Sequence, residues 1–129
     1  MKKTYFRVCN IVTKQGLWYN YDGSFSGLIH DQFNFCQNKD LKMDFDEELV
    51  GWLSAVETLD DLWKWFSKDD VKELEKHGWF VTEFLCSESK FYSRFQHTVI
   101  KQDKAIPVAI HHSDGTIKPL TEKIQIVLP

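Results

Sequence analysis

Arg7 is a lone cation in the apolar run Tyr5-Phe6-Arg7-Val8-Cys9-Asn10-Ile11-Val12. Burying a guanidinium without a partner is costly, so this one calls for an anion or a water-filled cleft. It reads either as the base of a site for a phosphate, carboxylate or nucleotide, or as an edge-strand residue reaching solvent along its methylene stem. Ser54 is a second candidate. It lies in Trp52-Leu53-Ser54-Ala55-Val56, immediately before a helix start, where a small hydroxyl can face a cleft and hydrogen-bond a ligand. Its alternative is a small packing residue bonded to a neighbouring carbonyl. Late in the chain Gln96, His97 and Gln102 bracket Val99 and Ile100, so one face of that strand can also look into a site.

Other reactive side chains offer less. Cys9 shares the face of Arg7, where a cation can lower a thiol pKa, and its alternative is a buried structural thiol. His111 and His112 are adjacent, so on a strand they point to opposite sides, and His30, His77 and His97 lack ligand spacing; no metal site is expected. No P-loop, dinucleotide glycine fingerprint or nucleophile elbow occurs.

The elements that must position these residues follow from periodicity. Alternation in the first strand puts Phe6, Val8 and Val12 on one face and Tyr5, Arg7, Cys9 and Ile11 on the other. After the turn Lys14-Gln15-Gly16, residues 17–29 read as a hairpin around Asp22-Gly23. From His30 to Asp46 the pattern dissolves into a long loop, of the kind that tends to be functional. Residues 46–54 are ambiguous between a short helix and a strand, with Gly51 weakening both. Thr58 with Asp61 then forms a capping-box-like start, and Leu59, Leu62, Trp63 and Phe66 recur at helical spacing. Ser67 with Asp70 opens a second helix carrying Val71 and Leu74 inward, and Gly78 stops it.

Trp79–Cys86 returns to strand, Ser87-Glu88-Ser89-Lys90 reads as a connection, and Phe95–Gln102 as another strand. Ile106–Ile110, an Asp114-Gly115 turn and Lys123–Val127 suggest a terminal hairpin, with Pro107 keeping its strand near an edge. The chain is therefore expected to be one α+β domain over residues 1–129, with a small mixed or antiparallel sheet, a central helix pair and a C-terminal hairpin.

Composition narrows the partners. The 129 residues are 43% hydrophobic and 15% aromatic, with five Trp and ten Phe, enough to build a core and leave rings for recognition. Nineteen acidic and sixteen basic residues give a net charge of −3 with no basic cluster, so no nucleic-acid partner is expected. Cys9, Cys36 and Cys86 form no C-x-x-C pair, which fits a reducing compartment. The opening residues lack a signal-peptide pattern, and no apolar stretch approaches the ~20 residues that span a bilayer. A cytoplasmic protein with no membrane partner is expected.

The order of Arg7, Ser54 and the strand ending at Gln102 resembles ADP-ribosyltransferases of the Arg–Ser–Glu type. In that family a first strand carries an arginine, a central strand carries a serine ahead of a helix, and a late strand carries a glutamate. The resemblance spans roughly residues 5–102. It implies a catalytic set of Arg7, Ser54 and Gln102, with NAD as substrate rather than prosthetic group. Arg7 would hold the NAD phosphates or ribose, Ser54 would orient the nicotinamide end, and Trp18, Tyr19 or Trp52 would stack on a ring. Two positions depart from the pattern: Gln102 is neutral where the family has a carboxylate, and Ser54 is followed by Ala55 and Val56 rather than completing a serine-threonine-serine triplet. A neutral amide cannot offset the positive charge of an oxocarbenium-like transition state. The expected function is NAD or nucleotide binding with slow or lost transfer. The alternative is a non-enzymatic binding protein that inhibits or modifies a partner, such as a phage or mobile-element anti-defence or host-takeover protein, which the missing glutamate and the high aromatic content favour.

Overall fold

A computed structural model of the chain describes residues 2–10, 47–94 and 96–120. The elements are β1 (Lys3–Asn10), β2 (Trp52–Ala55), α1 (Leu59–Trp65), α2 (Lys68–Glu75), β3 (Trp79–Cys86), β4 (Ser89–Tyr92), β5 (His97–Lys101), β6 (Ala105–His111) and β7 (Ile117–Pro119). Short 3-10 turns occupy Glu47–Leu49 and Gln102–Lys104. The strands form two antiparallel sheets, one ordered β1-β3-β6-β7 and the other β2-β5-β4. Reciprocal backbone hydrogen bonds between Phe6 and Val56, at 2.8 and 2.9 Å, join β1 to the end of β2 and so connect the sheets. The α+β class expected from the sequence is the class observed.

The near-continuous apolar run of β1 is explained by burial on both of its faces. On one face Phe6 and Val8, with Trp79 and Val81 of β3, pack under Leu62 and Phe66 of the first helix segment and Val71 and Leu74 of α2. Leu59, Trp63 and Trp65 pack against the same cluster while only partly buried. On the other face Tyr5 and Cys9, with Phe84 and Cys86, meet Leu53, Ala55 and Ile100 of the smaller sheet. Arg7 belongs to this second face.

Both helices start where their capping residues predict. The Thr58 hydroxyl accepts the Asp61 N–H, and the Ser67 hydroxyl accepts the Asp70 N–H, each satisfying one donor that a helix N-terminus leaves open. Gly78, at φ +84°, takes the left-handed conformation that ends the second helix and turns the chain into β3.

Several boundaries differ from the expectations. Ser89 and Lys90 open β4 instead of forming a connection, because β4 gains a ladder against β5 that its polar composition does not advertise. The late strand runs His97–Lys101, and Gln102 begins a 3-10 turn. The terminal hairpin returns immediately after the Asp114-Gly115 turn, at Ile117–Pro119. Pro107 lies in β6, which is interior to its sheet, but β7 pairs only with Ala109–His111 and leaves the proline's end uncovered by that strand. On its other side Pro107 faces Phe84 beside a register shift between Glu83 and Phe84, where a missing N–H is tolerated. The expected hairpin at 17–29, the loop from His30 to Asp46 and the arm Lys123–Val127 lie outside the described residues. Among the described residues no helix is long and apolar enough to cross a membrane.

Candidate functional site

Arg7 points from β1 toward the smaller sheet, and its Nη1 donates to the main-chain carbonyl of Ser54 at 3.0 Å. The residue is only 6% exposed. Burial pushes the guanidinium pKa below its ordinary value, while the neighbouring Cys9 acts in the opposite direction. An arginine still keeps its proton at physiological pH, so a cation is braced against β2. Cys9 itself is buried, and its thiol donates to Thr82 Oγ1 at 3.7 Å; the Thr82 hydroxyl in turn donates to the Phe80 carbonyl at 3.3 Å. This is the packed, structural arrangement of a thiol rather than a reactive one.

Ser54 is half-buried, and alternation along β2 places its side chain on the face opposite Leu53 and Ala55. Its hydroxyl lies 2.9 Å from His97 Nε2. His97 is the first residue of β5, and its ring meets Trp65 edge-on at a centroid distance of 5.1 Å. The antiparallel register pairs Ser54 with Val99 and thereby sets His97 beside the outward face of Ser54. Arg7, Ser54 and His97 thus form a hydrogen-bonded run across β1, β2 and β5, but from opposite faces of β2. The guanidinium holds the serine by its main-chain carbonyl on the inner face, and the imidazole holds its hydroxyl on the other, so Arg7 and the Ser54 hydroxyl share no cleft. A hydroxyl at hydrogen-bond distance from an imidazole can be oriented by it or give up a proton to it.

Gln102 sits elsewhere. It follows the far end of β5, with its N–H on the Gly51 carbonyl at 2.9 Å. It lies three residues beyond Val99, which is about 10 Å along an extended strand. The late-strand residue that meets Ser54 is His97. The sequence carried one signal for this, since His97, Val99 and Lys101 alternate onto a single face, but the end of β5 nearer Ser54 is set by the register with β2.

Trp52 shares the outward face of Ser54, two residues earlier on β2. Lys90 Nζ lies 4.4 Å and Lys101 Nζ 5.1 Å from the centroid of the Trp52 ring system, and Lys90 is also 5.9 Å from the Tyr92 ring. The outward face of this sheet therefore carries an aromatic shelf with two cations. Trp18 and Tyr19 lie outside the described residues.

His111 and His112 are bound to carboxylates on the four-stranded side. His111 Nε2 lies 2.7 Å from Glu83 Oε1, and His112 Nδ1 lies 2.8 Å from Glu75 Oε2. Ser113 also bonds Glu75 through both its N–H and its hydroxyl. The adjacent histidines take separate glutamates, but not by pointing to opposite sides of a strand: His112 lies just past the end of β6, and both line the same hollow beside Leu59 and Trp63. Among the described residues no group of three or more His, Cys, Asp or Glu is placed to hold a metal ion.

No protein-family model matches the chain, and searches of the curated proteins and of the solved structures found no match either.

Proposed function

We propose that this chain is an ADP-ribosyltransferase-like domain that binds NAD or a related nucleotide at the edge of the half-buried face of β2 that carries Ser54 and Trp52. The observation that carries the reading is the run Arg7–Ser54–His97, which links the first strand, the strand ahead of the helix pair and a late strand through hydrogen bonds. In this reading Ser54 orients the nicotinamide end, Arg7 fixes the backbone of Ser54, and His97 fixes its hydroxyl. Trp52 offers a ring for stacking on the same face. The late strand presents an imidazole where the family has a carboxylate. An imidazole does not supply the negative charge that an oxocarbenium-like transition state requires, so binding is retained while transfer is slow or lost.

The rival is a protein that binds and inhibits a partner through exposed aromatic anchors. The exposed large hydrophobics among the described residues are Val50, Phe91, Ile106 and Ile117, which sit on separate elements, and Phe91 is the one aromatic among them. Single scattered apolar side chains are ordinary surface features.

Calorimetric titration with NAD tests the proposal. The folded wild-type protein binds NAD at sub-millimolar concentration, and Ser54→Ala weakens binding several-fold without lowering the melting temperature by more than a few degrees. No heat of binding at millimolar NAD would transfer the case to the partner-binding protein.

A further inference from the structure

We infer that Trp52, Lys90 and Lys101 form the seat for the phosphates of the bound nucleotide, next to the Ser54–His97 pair; this inference rests on the nucleotide reading above.

Three observations carry it. The first is register. Ser54 pairs with Val99, Val99 pairs with Lys90, and Trp52 pairs with Lys101, so all of these residues share one sheet face across three neighbouring strands. The second is spacing. Trp52 lies two residues from Ser54 on the same strand, about 7 Å away, so a small ligand of nucleotide size can touch both. The third is charge. Both ammonium groups converge on one indole, at 4.4 and 5.1 Å from its centroid.

The carboxylates near this shelf are engaged. Glu88 bonds Lys104 Nζ at 2.8 Å, and Glu48 accepts the Tyr92 hydroxyl at 3.5 Å. The Glu88 carboxyl is held below its ordinary pKa first by its bond to Lys104, with further contributions from Lys101 and Lys90.

Arg7 does not compete for this role. It is buried, faces the inner side of the smaller sheet, and spends an N–H on the Ser54 carbonyl. Lys90 is exposed and Lys101 half-buried, so their ammonium groups can swing from the indole to a ligand at little cost. An indole flanked by ammonium groups suits a phosphorylated ring compound: the amines take the phosphate oxygens as point charges, and the ring face stays available to a base or sugar.

The experiment compares NAD, ADP, inorganic pyrophosphate and nicotinamide as calorimetric titrants of the wild-type protein, Lys90→Ala/Lys101→Ala and Ser54→Ala. Both lysines lie outside the apolar clusters, so the double variant folds and its circular dichroism matches the wild type. The inference expects the double variant to lose at least tenfold in affinity for NAD, ADP and pyrophosphate, and to keep wild-type affinity for nicotinamide. It further expects raised NaCl to weaken ADP binding by the wild type more than by the variant. Pyrophosphate binding as tight as ADP would assign the seat to the phosphates alone, and tighter ADP binding would add the ring. If NAD binds and depends on Ser54 while the double variant binds ADP and NAD like the wild type, the seat is overturned and the nucleotide reading stands. If ADP binding depends on the lysines while NAD binding ignores Ser54, the seat stands and the transferase-like reading falls. If neither NAD nor ADP binds the wild type, both fall.

Discussion

The two sheets of this protein treat the same residue types in opposite ways. On the helix-covered side of the four-stranded sheet, His111 and His112 are each bound to a glutamate, and Trp63 and Trp65 pack against an apolar cluster. On the three-stranded sheet, His97 is bound to a serine hydroxyl, and Trp52 lies on the surface beneath two lysines. A histidine bonded to a carboxylate ties elements together, here the end of α2 to the turn after β6. A histidine bonded to a neutral hydroxyl leaves that hydroxyl's chemistry adjustable. The two sheets thus differ in how these polar groups are satisfied rather than in how many there are.

If the junction between the sheets is a common core, its loss should be felt globally. Phe84 is fully buried where β3 meets Leu53 and Ile100. Phe84→Ala is expected to cost ~3–5 kcal/mol in urea melts. A loss below about 1 kcal/mol would mean that the sheets are energetically separate and the comparison describes two loosely joined halves.

Arg7→Met probes the brace between them. Removing the guanidinium leaves the Ser54 carbonyl without that donor, for an expected loss of ~1–3 kcal/mol in the same melts. Weaker NAD binding should accompany it, since Ser54 is then held from one side only. A variant as stable as the wild type with unchanged binding would show that Arg7 is a tolerated cation with no positioning role.

His97→Glu asks whether the three-stranded face retains transferase geometry. A carboxylate at the position that meets Ser54 is expected to raise NAD cleavage about tenfold to a hundredfold, measured as nicotinamide release, by offsetting transition-state charge. Gln102→Glu, about 10 Å farther along the strand, is expected to do less. The reverse ranking would move the reactive end of the site to the Gln102 turn.

Helix caps give a smaller effect. Thr58→Ala and Ser67→Ala should each cost ~1 kcal/mol and leave nucleotide binding unchanged. Binding that falls with either cap would break the division of labour between the sheets.

The smallest expected effect is on acid stability. Asp61, bonded to Thr58 and Lys64, Glu73, bonded to Lys76, and Glu88, bonded to Lys104, all sit below their ordinary pKa, as does Asp114 through its bonds to Thr116. A folded-state pKa below the unfolded value adds stability above the unfolded value and loses it as pH falls through the folded one. The urea midpoint should therefore drop modestly as pH is lowered from about 5 toward 3, and less so in high salt, because these groups are exposed and screened. An unchanged midpoint would mean that these surface contacts contribute nothing measurable.

The helix pair was fully legible, because capping and 3.6-residue periodicity are local signals: Thr58, Ser67 and Gly78 mark starts and a stop that the structure keeps. Strand β3 was legible through its apolar length. Strand β4 was not, since Ser89 and Lys90 resemble turn residues and only a tertiary ladder makes them strand. The site was legible in part. Arg7 and Ser54 drew attention as a cation and a hydroxyl out of place, but the guanidinium reaches only the Ser54 main-chain carbonyl from the inner face of β2, while the hydroxyl turns to the other face, so the two side chains do not line one cleft. The partner from the late strand was read at Gln102, whereas the register brings His97 to Ser54. Residue alternation gives the face of a strand, but which end lies next to a neighbour is a long-range property. The convergence of Lys90 and Lys101 on Trp52 is hidden for the same reason, being spread over three strands.

The pairing of β1 also bears on how the chain reaches this state. Its ladder partner among the described residues is β3, from Lys3 opposite Cys86 to Asn10 opposite Trp79, a pairing with residues far later in the chain. Pairings this distant in sequence slow folding and leave the strand unprotected in the meantime. During that interval Tyr5–Cys9 is a short, aromatic and β-prone segment able to stick to other chains, and Arg7 interrupts it with a charge. The cation that braces Ser54 in the finished fold is thus also a charge of the kind that keeps a β-prone segment from pairing with its like.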